Sequence, residues 1–184
     1  MRTTKRLIVL ARKGHRFRDW YKRAGHSIEY VCTFKQWDRE RFIDILAITS
    51  PRVAVRRCVR VAMHYMNTGR FLPATIYGTR SAMAYYEATG LIRGPKTQPF
   101  AAALRGDPEA IVLDTWMAKA FEIDSALFSR KAVREECFKR LRQAAKTLGW
   151  PVAECQAAIW AATLIEHGRH PKHLNAVDEL SLFD

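Results

Sequence analysis

Residues 79–104 read TRSAMAYYEATGLIRGPKTQPFAAAL, and their punctuation decides the fold. A helix starting at Thr79 or Ser81 carries Met83 and Tyr86 and stops at Gly90. Leu91 to Thr97 then holds Gly94 and Pro95 in a short turn. A second helix runs from about Gln98 to Leu104, with Pro99 tolerated in its first turn, where no intrahelical N–H is needed. The predicted local shape is helix, glycine-bearing hairpin, helix.

Working outward, the apolar spacing stays at three and four, the period of a helix. Downstream, Ala110 to Leu113 form an apolar approach, and Asp114 is predicted to cap a helix bearing Trp116, Met117, Ala120 and Phe121. Ser129 is expected to cap the next, with Val133, Cys137, Leu141, Ala144 and Leu148 ending at Gly149. Pro151 opens another, with Val152, Cys155, Ile159, Ala162 and Ile165 running to His167 and Gly168. Upstream, Phe42, Ile45, Leu46 and Thr49 share a face. Ser50 and Pro51 then read as an N-cap and first residue of a helix whose apolar stripe is Val55, Val59, Ala62, Met63 and Met66. Arg52, Arg56, Arg60 and His64 recur on another face of that helix. In residues 1–36 the stretch Lys5 to Arg12 reads as extended, and Phe17, Trp20, Tyr21 and Ala24 as a short helix ending at Gly25.

The fold class expected is all-α: one domain over 1–184, made of two helical lobes with a cleft between them. A hairpin lobe is expected at 50–125 and a second lobe from 1–49 with 126–170. Residues 171–184 are expected to form a poorly ordered tail.

The 184 residues carry 31 Lys and Arg against 18 Asp and Glu, a formal net charge of +13, with 48% hydrophobic residues. That content can bury a core, which excludes intrinsic disorder, a collagen-like repeat and a coiled coil. Leu7 to Ala11 is too short for a signal-peptide core, and no segment approaches the roughly 18 apolar residues of a membrane span. A cytoplasmic protein with no membrane partner is expected. Cys32, Cys58, Cys137 and Cys155 show neither zinc-ligand nor iron–sulfur spacing. They are read as reduced core thiols, with no metal and no cofactor. Lys and Arg in such excess match a polyanion, because each one near a phosphate releases a condensed counterion. Nucleic acid is the expected partner.

Lys96-Thr97 at the end of the hairpin, and Val112-Leu113-Asp114-Thr115-Trp116 beyond it, stand at a characteristic distance, eighteen positions from Lys96 to Asp114. Together they resemble the helix-hairpin-helix DNA glycosylases, in particular the endonuclease III branch. Phe42 to Leu46 with Thr49-Ser50-Pro51-Arg52 is similar to that family's apolar helix and the Ser-containing turn that faces DNA. Trp160 through Glu166-His167-Gly168-Arg169 is similar to its Trp…His-Gly-Arg helix ending. The resemblance spans about residues 40–170. It departs where Ile92 replaces the first hairpin glycine and Trp116 the usual His, in the short stretch between Arg52 and Lys96, and in lacking the iron–sulfur loop.

The resemblance implies a monomeric DNA glycosylase with AP lyase activity, bacterial or phage, excising a damaged or modified base and associated with the nucleoid when bound. Lys96 and Asp114 are the candidate catalytic residues. A carboxylate offsets positive charge developing at the sugar carbon. A neutral lysine amine attacks that carbon to give a Schiff base, and elimination then breaks the strand. Gly94, Thr97, Arg52, Arg56, Arg60 and Arg93 are the candidate DNA-binding residues. Two alternatives stand beside this reading: a non-catalytic helix-hairpin-helix DNA-binding protein, and a phage-type enzyme acting in thymine hypermodification. His167 and Arg169 are expected to finish a helix and Trp116 to pack in the core, while His15, His26 and His64 carry no assignment.

Overall fold

The computed structural model describes residues 1–171. Every regular element among them is helical: α1 (Thr4–Lys13), α2 (Trp20–Lys35), α3 (Arg39–Thr49), α4 (Val55–Thr68), α5 (Tyr77–Thr89), α6 (Thr97–Leu104), α7 (Thr115–Phe121), α8 (Lys131–Leu148) and α9 (Val152–Glu166), with 3₁₀ turns at His15–Phe17 and Ser125–Ser129. The chain divides into two compact units. Among the described residues one is discontinuous, Met1–Tyr21 with Gly106–Pro171, and the other is continuous, Lys22–Arg105. These divisions fall within α2 and after α6, whereas the sequence reading drew a hairpin lobe at 50–125.

The continuous unit is built round α3. Phe42, Ile43, Ile45, Leu46, Ala47 and Ile48 are all buried, and a helix apolar on nearly every side needs neighbours on every side. α4, α5 and α6 supply them. Asp38 starts α3 by accepting from the Arg41 N–H at 2.6 Å, which satisfies one of the orphan donors of the first turn. At its edge, Arg105 after α6 pairs with Glu40 and with Asp44, and Arg41 reaches Glu87 on α5 at 2.8 Å.

The discontinuous unit repeats the plan round α9, against which α1, α7 and α8 pack. Leu7, Leu10 and Ala11 share one core with Cys137, Leu141, Cys155, Ala158 and Ile159. Gly14 ends α1 in contact with the α9 main chain. A Cβ at this position would lie 1.9 Å from the Ala158 carbonyl oxygen, so only glycine fits.

Several local expectations are corrected. Lys5 to Arg12 is helical, not extended: Thr3 caps α1, and the apolar face is buried in that core. α2 continues through Gly25 to Lys35, because Ile28, Val31 and Cys32 beyond the glycine are buried. Ser50 and Pro51 do not open a helix. The Ser50 hydroxyl donates back to the Ala47 carbonyl at 2.9 Å, Arg52 takes φ +60°, and α4 starts only at Val55. Ser129 closes a 3₁₀ turn that Asp124 caps, and α8 starts at Lys131 without a side-chain cap bond. The tail assigned to 171–184 lies outside the described residues apart from Pro171.

Candidate functional site

In the continuous unit the candidate residues converge on the hairpin between α5 and α6. Gly90 ends α5 in the left-handed region, and Gly94 sits at φ +124°, which side-chain-bearing residues rarely adopt. A Cβ on Gly94 would also press to 3.2 Å from the Thr97 hydroxyl. The turn is closed by the Gln98 N–H donating to the Gly94 carbonyl at 3.2 Å. The Gln98 side-chain amide adds a bond to the Ile92 carbonyl at 3.2 Å. Thr97 is the buried first residue of α6, and the Arg93 guanidinium lies 3.4 Å from the Tyr85 ring centroid.

Lys96 occupies the N-cap position of α6 without a side-chain capping bond. Its half-buried side chain runs past the Phe100 ring, and its ammonium donates to the Ser50 carbonyl at 3.1 Å. The hairpin is thereby tied to the α3–α4 turn that presents Arg52. That turn is anchored below by Thr49, whose hydroxyl donates to the Ile45 carbonyl at 2.8 Å, and by Cys58, whose thiol donates to the Leu46 carbonyl at 3.2 Å. Burial pushes the Cys58 thiol up to about 11, with Thr49 and the Lys96 charge pulling the other way. Arg52, Arg56 and Arg60 are exposed, as is Arg57, which the sequence reading passed over. Over residues 45–105 there are nine Lys and Arg against one acidic residue, Glu87.

Asp114 belongs to the discontinuous unit, so each of the two candidate catalytic residues is fixed within its own unit. Its Oδ1 accepts from the N–H groups of Trp116 at 3.0 Å and Met117 at 2.8 Å, the expected N-cap of α7. The carboxylate is half-buried at the positive end of that helix. Trp116 is half-buried too. It meets His167 edge-on, at 5.9 Å between ring centroids, and carries the Lys119 ammonium 4.2 Å from its own. His167 and the exposed Arg169 lie at the end of α9, as expected. The His167 Nδ1 is 2.8 Å from the Thr163 carbonyl. Because a carbonyl only accepts, the proton of this bond sits on Nδ1.

Two residues behind Asp114 were not singled out from sequence. Gln156, buried in the middle of α9, accepts from the Val112 N–H at 3.2 Å and donates to the Val112 carbonyl at 3.1 Å. The Tyr21 hydroxyl donates to the same Gln156 oxygen at 3.5 Å. Tyr21 ionises well above the ordinary tyrosine range, mainly through burial and further through the negative charge of Asp114. The available signal for Gln156 was a lone amide in a mostly apolar helix, since a buried polar group must find partners.

Among the described residues no group of three or more His, Cys, Asp and Glu side chains is placed to hold a metal ion. All four cysteines are buried free thiols. No helix among them is long and apolar enough to cross a membrane. No curated protein and no solved structure matches the chain. Residues 11–169 match DUF7178, a family of unknown function, and the chain belongs to that family.

Proposed function

We propose that this protein binds DNA and removes a damaged or modified base from it, with strand cleavage through a lysine Schiff base. The observation that carries the reading is the hairpin with Gly94 at φ +124° and Lys96 at the mouth of α6, set in a segment with nine cationic residues and one acidic one. Main-chain N–H groups at a helix start and a cationic surface together suit a phosphate backbone. Gly94, Thr97, Arg52, Arg56, Arg60 and Arg93 are the residues proposed to meet it.

The chemistry needs a nucleotide drawn out of the stack and a group that tolerates positive charge at its sugar carbon. Asp114 supplies a fixed negative charge. Lys96 must give up a proton and leave the Ser50 carbonyl before its amine can attack. As the new C–N bond forms, the bond from the sugar carbon to the base breaks, and the base departs with the bonding electrons and takes up a proton. The sugar ring then opens at the C–O bond of that carbon, the ring oxygen taking up a proton, and the resulting imine permits loss of the adjacent C2′ proton with elimination of the 3′ phosphate. A chromosome-associated, cytoplasmic protein fits such a substrate.

A second reading, a DNA-binding module without catalysis, is favoured by one contact: the Lys96 ammonium already serves the Ser50 carbonyl. Borohydride trapping on oligonucleotides bearing an abasic site or modified bases tests the two. The enzyme gives a covalent adduct that Lys96→Ala abolishes, together with release of free base. Salt-sensitive binding with neither adduct nor base release overturns catalysis and leaves the module.

A further inference from the structure

The approach to Asp114, residues 110–113, has no regular secondary structure and packs into the unit without a neighbouring strand. Ala110 to Leu113 are buried, so their main-chain polar groups must be satisfied by something other than water. At Val112 a single side chain supplies both partners. Gln156 is 2% exposed, and its amide accepts from the Val112 N–H and donates to the Val112 carbonyl. It does locally what a paired strand would do. Few side chains can make this grip from that place. Glutamate in its ionised form has no donor, asparagine is one methylene shorter, and methionine has the length and volume but neither group.

The Gln156 oxygen has two acceptor sites, and Tyr21 at the start of α2 uses the second. Val112 stands two residues before Asp114. A slip of this segment therefore moves the carboxylate and the two α7 N–H groups bound to it.

We infer that Gln156, backed by Tyr21, is a positioning residue that sets where the Asp114 carboxylate stands. The inference rests on the reading of Asp114 as the group that offsets charge on the sugar. The tyrosine is near enough to Asp114 to feel its charge, which places all three side chains in one electrostatic neighbourhood.

The test uses the full chain with Gln156→Met, which keeps side-chain length and removes both bonds. Native-state amide exchange followed by NMR is the readout that does not depend on activity. Exchange at Val112, Trp116 and Met117 is expected to quicken by about tenfold or more, while the Leu141 amide of α8 stays within about twofold. Uniform acceleration that includes Leu141, or no change at the three amides, overturns the inference. If Gln156→Met does not fold, Tyr21→Phe removes one of the bonds to Gln156, and the same three amides are expected to loosen, less strongly. No change there overturns it equally.

In base release, Gln156→Met is expected to lower kcat by about 10- to 100-fold with KM for DNA little changed. Combined with Asp114→Asn it should add nothing further, since the two act through one carboxylate. Parental kcat in Gln156→Met, with release abolished in Asp114→Asn, refutes the positioning role and leaves the catalytic reading intact. Parental release in Asp114→Asn removes the catalytic reading instead, and the amide exchange then decides whether Gln156 holds the carboxylate.

Discussion

The Lys96 ammonium donates to the main-chain oxygen of Ser50 across 46 positions of sequence. A charged donor on the main-chain oxygen of buried Ser50 joins the hairpin to the end of α3. Lys96→Gln is expected to abolish the borohydride-trapped adduct and the strand break while leaving slow base release, if water reaches the sugar carbon. Loss of the Ser50 contact should lower unfolding free energy by about 1 kcal/mol, read by urea denaturation. Retention of the adduct in this variant would remove Lys96 from the chemistry.

Asp114 caps α7 and is proposed to offset charge on the sugar, and two substitutions separate these roles. Asp114→Asn keeps an oxygen for the Trp116 and Met117 N–H groups, so its stability should remain close to the parent. Asp114→Ala should cost about 1 kcal/mol more, the ordinary worth of an N-cap. Base release is expected to fall by orders of magnitude in both, because both lose the charge. Release that falls in the alanine variant alone would assign the residue to folding.

The exposed arginines of the α3–α4 turn and α4 make a salt prediction. Replacing Arg52, Arg56 or Arg60 with Gln should each reduce the log–log salt slope of DNA affinity by about 1. A slope unchanged in all three would show a solvated face without phosphate contacts.

Gly14→Ala should destabilise by about 3 kcal/mol, the upper part of the range for overpacking. The added methyl would meet the rigid Ala158 carbonyl of α9, not a side chain that can turn aside. Thermal unfolding measures it, and a variant as stable as the parent would contradict the close approach of α1 to α9.

Alkaline pH should weaken the fold through its thiols. Burial pushes Cys58 and Cys137 up to about 11 and Cys155 up to about 12, whereas an exposed cysteine ionises near about 8.5. The unfolded chain therefore sheds protons that the folded chain keeps. Stability from this source is full below about pH 8.5 and is lost as pH rises toward the folded values. Urea midpoints should drop between neutral and alkaline pH, and drop less in Cys155→Ala.

What could be read in the sequence was what local chemistry decides. Gly90 and Gly149 end α5 and α8 in the left-handed region, and Asp114 caps α7, because each of these depends on a few neighbouring atoms. Gly25 misled for the opposite reason. Its propensity cost of about 1 kcal/mol is outweighed by the apolar residues that α2 buries beyond it. Ser50 and Pro51 satisfy the local pattern of a helix start, yet the chain is still turning at Arg52 and the serine hydroxyl points back to α3. Of the candidate site, Lys96, Gly94 and Asp114 were accessible from motif and spacing. Gln156 and Tyr21 were not, because Val112 lies 44 positions and Tyr21 135 positions from Gln156, and only tertiary folding brings them together.

The split of the chain between its two units has a consequence for synthesis. α1 leaves the ribosome before α8 and α9, against which Leu7, Leu10 and Ala11 are buried. Residues 22–105 contain all of α3 to α6 and can close their own core while α1 still waits. An apolar helix face flanked by cations is thus left uncovered until α8 and α9 are made, which leaves this helix dependent on chaperone cover and open to a misplaced partner in the interval.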